Sequence, residues 1–244
     1  MLKEIKVGFR TDEQMYGLSP RMVKGVAIAP MMIVCFFSLL LFLPETRSFA
    51  RWMLDESRPV EWLQFALFIL GSVLGWRLAL NARKKYGQDL IFWFYSLLAV
   101  GLLFVSMEEV SWGQWIFGFE PPEAIRTVNK QHEFNFHNLP ILHAVFEALR
   151  VFLGLSGLAA VWFFSKFPSR RLGVPFMLAP WFLCITLLAL LDIPNYHGRV
   201  EANIVFKAAF ELAEVLELLI SAIIFLFLWL NSRISLRHGD TILN

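Results

Sequence analysis

The chain has 244 residues, of which 57% are hydrophobic, 16% aromatic and only 17% charged, with a formal net charge of +2. A charged fraction so far below the usual quarter, with a mean hydropathy of +0.59, excludes an ordinary water-soluble globule, and the near-neutral balance leaves no basic surface for nucleic acid. Cys35 and Cys184 both fall inside apolar blocks, so neither a disulfide framework nor a paired-cysteine metal motif is present.

Apolar blocks of about 20 residues match the hydrocarbon thickness of a bilayer. They predict an all-α fold, a polytopic transmembrane helix bundle forming one integral membrane domain over residues 1–244. The expected spans lie at about 23–43, 59–80, 88–107, 141–165, 173–193 and 203–230. The first block follows a mixed polar stretch containing Asp12 and Glu13 and lacks a small-residue cleavage site, so it reads as a retained helix rather than a signal peptide. On the second span, Gly71 and Gly75 form a GxxxG motif suited to close helix packing. Gln64 shares that face, which therefore looks inward. The third span closes on Glu108-Glu109, and Trp112-Gly113-Gln114-Trp115 follow.

The connection 108–140 is polar and aromatic by turns. Pro122 opens a short helix ending at Arg126, and Asn129 to Asn138 alternates polar residues with Phe134 and Phe136. A segment lying at the interface, or re-entering the bundle mouth, satisfies both kinds of side chain. Arg150 lies inside the fourth span, and Pro180 is expected to kink the fifth. Asp192, Tyr196, His197 and Arg199 close the fifth span. Lys207, Glu211 and Glu214 share a face of the sixth, with Glu217 a turn deeper.

Thirteen basic residues (Lys3, Lys6, Arg10, Arg21, Lys24, Arg83, Lys84, Lys85, Lys166, Arg170, Arg171, Arg233, Arg237) flank the spans on one side. Six (Arg47, Arg51, Arg58, Arg126, Lys130, Arg199) flank the other. This bias places both termini in the cytoplasm and the 108–140 segment outside the cell membrane. Nearly every membrane-associated acid, and His132, His137, His143 and His197, then gather at the outer face. Intramembrane ionisable groups mark functional sites.

Within that cluster, Glu108, Glu109, His137 and His143 are the candidate catalytic residues, with a carboxylate as general base and histidine as proton shuttle. Gln114, Asn135, Asn138, Arg150 and Glu214 are candidate substrate-binding residues. Arg150 and Lys207 are expected to counter the charge of Glu211 or Glu214. Glu61 and Asp192 read as solvated interfacial groups, and Trp112 as a belt residue. Glu133, His137, His143 and Glu211 could supply nitrogen and oxygen ligands to zinc or iron.

The run Glu108-Glu109-Val110-Ser111-Trp112-Gly113-Gln114, with Asn135-Phe136-His137-Asn138, resembles a motif pair of bacterial multi-pass membrane proteins, and that resemblance implies the fold alone. The adjacent acids followed by histidines are also similar to the CAAX-type glutamate intramembrane proteases. That similarity implies water activation by Glu108 and Glu109, although the chain lacks the family's arginine three residues beyond the pair. Three functions follow as expectations. The first is an intramembrane hydrolase or transferase acting on a lipid, lipid-linked or membrane-anchored substrate. The second is a proton- or cation-coupled transporter, and the third a non-catalytic membrane partner subunit.

Overall fold

The computed structural model describes residues 2–55, 57–129, 133–136, 139–167, 172–196 and 211–239. These form α1 (Leu2–Tyr16), α2 (Pro20–Phe42), α3 (Pro44–Met53), α4 (Pro59–Tyr86), α5 (Leu90–Glu109), α6 (Gln114–Phe117), α7 (Glu123–Arg126), α8 (Pro140–Lys166), α9 (Ala179–Tyr196) and α10 (Ala213–Gly239). No strand occurs among the described residues.

Local chemistry sets the helix starts. Proline occupies the first turn of α2, α3, α4 and α8, where its missing N–H costs nothing. The Ser19 hydroxyl accepts the Met22 N–H at 3.3 Å, and the Asp89 carboxylate accepts the Phe92 N–H at 2.9 Å, each satisfying an otherwise orphaned donor. Among the described residues, five helices are long and apolar enough to cross a membrane: α2, α4, α5, the Val145–Lys166 part of α8 and the Ala213–Ser235 part of α10. The chain is thus a multi-pass helical membrane protein. The expected fifth span, 173–193, is a shorter apolar helix, Phe176–Asp192, at the lower limit for crossing. Pro180 does not kink it. The residue lies in the first turn of α9, just past a short 3-10 helix at Phe176–Leu178, where proline breaks no helical hydrogen bond. Large apolar side chains such as Leu97, Phe152 and Trp162 are exposed on the outside of the bundle, as lipid-facing residues are.

The helices α4 and α5 approach through small residues. A Cβ on Gly75 would stand 3.0 Å from the Ala99 methyl, and the Ser72 hydroxyl donates to the Ala99 carbonyl at 2.8 Å. The GxxxG face therefore serves packing inside the bundle, as expected. The pair α8 and α9 is tighter still, because a Cβ on Gly154 would overlap Thr186 and one on Gly157 would overlap the Phe182 ring. Gly154→Val should force the two helices apart, costing about 1–3 kcal/mol and lowering the thermal midpoint of the detergent-solubilised protein. Gly101→Ala meets open space and should leave that midpoint alone. Equal midpoints for Gly154→Val and the parent would contradict the packing.

Hydropathy and spacing predict neither the four-residue α6 nor two longer helices, α1 and α3. These two are amphipathic and too polar to span. α1 packs on the end of the bundle that also holds the start of α9 and the end of α10. Asp12 accepts the Phe176 and Met177 N–H groups at 3.1 and 2.7 Å, and Arg233 donates to the Tyr16 and Gly17 carbonyls at 2.9 and 3.3 Å. Since α9 begins where α10 finishes, the opposite end of the bundle carries the C-termini of α5 and α9 and the N-termini of α4, α8 and α10. The described candidate site residues Glu108, Glu109, Gln114, Glu133, Asn135, Arg150, Glu211 and Glu214 are at that opposite end.

Candidate functional site

Helix α5 ends in two adjacent glutamates that face different surroundings. Consecutive residues on a helix are rotated by about 100°, so both cannot look the same way. Glu108 turns toward the 108–140 connection. Its carboxylate accepts the Trp112 indole N–H and the Phe136 backbone N–H at 2.6 Å. Glu109 turns toward the bundle, within electrostatic reach of Glu61, Glu214, Glu217 and Arg150.

The Glu108 side is a buried knot that shapes the connection. After α5, Ser111, Trp112 and Gly113 all take left-handed backbone angles, with φ of 46°, 53° and 88°. Such angles cost a residue with a side chain on the order of 1–3 kcal/mol, so neighbouring bonds must hold the turn. The Ser111 hydroxyl donates to Glu133 at 2.8 Å, while the Asn135 amide donates to Glu133 at 2.6 Å and to Ser111 at 3.2 Å. Asn129 donates to the Asn135 carbonyl at 3.0 Å and to its side-chain oxygen at 2.8 Å. Gln114 accepts the Phe134 N–H at 2.8 Å. Phe136 then stacks on Phe104, at 6.5 Å between ring centroids. Gln114, Asn135 and Glu133, expected to bind substrate or metal, are engaged in closing this loop. Trp112, expected as a belt residue, braces Glu108.

The Glu109 side collects ionisable groups from five helices. Arg150, about three turns into α8, pairs with Glu217 of α10 and with Asp192 of α9 at 3.5 Å. Glu214 and Glu147 lie within its electrostatic reach. Glu61 sits at the start of α4 and accepts the Ser57 N–H. Gln64, one turn further along α4 and fully buried, donates to the Glu214 backbone carbonyl at 3.0 Å. Its side-chain amide also lies beside the Glu214 carboxyl.

Several expectations need correction. Arg150 counters Glu217 and Asp192, not Glu211 or Glu214 by direct bond. Glu211 is held instead by Arg51 of α3, a helix the sequence reading had not drawn. Asp192 is no solvated end group, being 8% exposed and bound to Arg150. Glu133 and Glu211 belong to separate bonding networks, so they do not converge as one ligand pair. Among the described residues, no three His, Cys, Asp or Glu side chains gather as a metal-ligand group. His137, Asn138, His132, His197 and Lys207 lie outside the described residues, as does the His143 side chain.

Gln64 and Glu217 are site residues beyond the expected set, and the sequence carries a signal for both: Gln64 precedes Gly71 by two helical turns, on the face that packs inward, and Glu217 follows Glu214 at helical spacing. Of the paired glutamates, Glu108 is committed to holding the loop. No hydrogen bond or ion pair among the described residues engages Glu109, although it is 7% exposed. A buried carboxyl left uncommitted beside a guanidinium and further carboxyls has the features of an acid–base group. Scans of protein-family models, of curated proteins and of solved structures find no match to this chain.

Proposed function

We propose that this membrane protein is an enzyme, a hydrolase or transferase that acts on a lipid, lipid-linked or membrane-anchored substrate by acid–base chemistry, with Glu109 as the general base. The observation that carries the reading is the division of labour within the adjacent pair. Glu108 is consumed by Trp112 and Phe136, whereas Glu109 faces the ionisable cluster with no hydrogen bond or ion pair to it among the described residues. The cluster sits near one end of the bundle rather than at mid-depth, where lipid head groups reach it. The thirteen-to-six distribution of basic residues supports an extracytoplasmic position for that end, with both termini in the cytoplasm. The 108–140 segment then lies at the outer interface as a cover over the site.

A second reading, proton- or cation-coupled transport, draws on a different observation. Around Arg150 the described residues include Glu109, Glu147, Asp192, Glu214 and Glu217, with Glu61 beside Glu109 and Glu214, a large excess of carboxyls over guanidinium. Such excesses suit exchangeable positive charge.

Incubating the purified protein with a total membrane lipid extract in heavy-oxygen water separates the two. Mass spectrometry should find new lipid products, carrying the oxygen label in hydrolysis and lacking it in group transfer. Glu109→Gln should reduce their formation by about 100-fold or more, the usual contribution of a general base. No product from the parent protein, together with Glu109-dependent proton or cation flux into liposomes, would replace the enzyme reading with the transport one.

A further inference from the structure

Helix α1 is too polar to span, yet one of its faces lines a cavity at the end of the bundle away from Glu109. Glu4, Val7, Gly8, Thr11 and Met15 recur at helical spacing and so share a side, and that side forms one wall of a cavity of about 560 Å³. The facing wall is the end of the spanning part of α8, with Val161, Phe164, Ser165 and Lys166. Residues 173–176 close the third side. Sites for small molecules have volumes of about 300–1,000 Å³.

Bonds elsewhere fix these walls in place. Asp12 fastens α1 to the Phe176 and Met177 N–H groups, and a Cβ on Gly8 would stand 2.6 Å from the Phe176 ring. Asn231 of α10 donates to the Gly173 carbonyl at 3.0 Å and accepts its N–H at 3.1 Å. A site built beforehand loses little ordering entropy when it is filled.

The polar groups of the lining are largely spent within the protein. The Thr11 hydroxyl donates to the Val7 carbonyl at 3.0 Å and the Ser165 hydroxyl to the Trp162 carbonyl at 2.6 Å, while both Asp12 oxygens accept backbone N–H groups. The walls therefore offer mainly carbon, which suits a hydrocarbon chain. Two exposed charged side chains complete the lining, Lys166 and Glu4. Lys166 is the last residue of its span and so stands at head-group depth. One turn earlier Trp162, also on the cavity and 64% exposed, opens that wall toward surrounding lipid.

We propose that the cavity binds one zwitterionic aminophospholipid from the leaflet on the α1 side. An acyl chain lies between α1 and α8, the phosphate pairs with the Lys166 ammonium and the head-group ammonium with the Glu4 carboxylate. A wall with one charge of each sign matches a head group that also carries both. The site is independent of the enzyme reading, and its lipid stabilises the docked state of α1 by mass action.

Photoaffinity labelling of the full chain, stripped of lipid in detergent, tests the proposal. The probe is phosphatidylethanolamine with a diazirine in one acyl chain, and peptide mass spectrometry locates the label. Both α1 and the end of α8 should be labelled. Thr11→Trp fills the cavity from an exposed position and should abolish the α1 label; if that variant fails to fold, Val7→Trp, at a site 59% exposed, fills the same space. Lys166→Gln should reduce labelling about fivefold, the worth of one basic side chain to a lipid head group. The same probe built on phosphatidylglycerol, which brings no ammonium to Glu4, should label several-fold less, and Glu4→Gln should remove that preference. Label on α8 alone, as loosely surrounding lipid would leave, overturns the proposal. So does an α1 label that survives the cavity-filling variants, or equal labelling by the two head groups.

Discussion

Arg150→Met should be the most damaging substitution at the candidate site, with a loss of about 3–5 kcal/mol of stability. The guanidinium of Arg150 bridges Glu217 of α10 and Asp192 of α9, so it ties α8 to both neighbours. Removing it leaves two partly or wholly buried carboxyls without their cation, and uncompensated buried charge is what makes such losses large. Arg150→Lys should recover only part of the loss, because one ammonium lacks the planar fork that serves two carboxylates at once. Thermal unfolding followed by size-exclusion chromatography in detergent provides the measurement. A midpoint for Arg150→Met equal to that of the parent would mean that the bridge contributes nothing.

At the other end of the bundle, the docking of α1 should weaken as pH rises. Burial drives the Asp12 carboxyl up from 3.8 to about 7, against the pull of the Met177 and Phe176 N–H groups, which favour the charged form. A carboxyl with its folded value raised binds its proton more tightly when docked than when free. Its contribution is therefore full below pH 4, declines as pH climbs from about 4 to about 7, and is flat above that. Across the window the change amounts to about 4 kcal/mol. Burial also raises the neighbouring Tyr16 phenol, with the Asp12 charge as a smaller cause, so Tyr16 stays neutral throughout the window. Hydrogen exchange of the α1 amides, corrected for intrinsic rates, should show more protection at pH 5 than at pH 7.5. Asp12→Asn cannot titrate and should show no such difference. A pH dependence that persists unchanged in Asp12→Asn would assign it to another group.

The two ends also differ in what the amino-acid order reveals. The spanning helices were legible because a bilayer sets a minimum apolar length, and α2, α4 and α5 lie where the hydropathic blocks predict them. The inward face of α4 was legible from Gly71, Gly75 and Gln64, since helical spacing fixes which residues share a side. The helices α1 and α3 were not legible. Their polar residues are spaced for an amphipathic surface, and nothing local says that Asp12 caps a helix start 164 residues away or that Arg51 meets Glu211.

Sequence alone determined that this is a multi-pass helical membrane protein with most of its membrane-associated acids near one end, because both properties depend on composition and spacing along the chain. The tertiary structure alone decided which acids work together. A helix turns neighbours such as Glu108 and Glu109 apart, and the partner of a charge such as Arg150 is set by where other helices cross it. Those crossings join residues far apart in the chain through packing that no local pattern encodes.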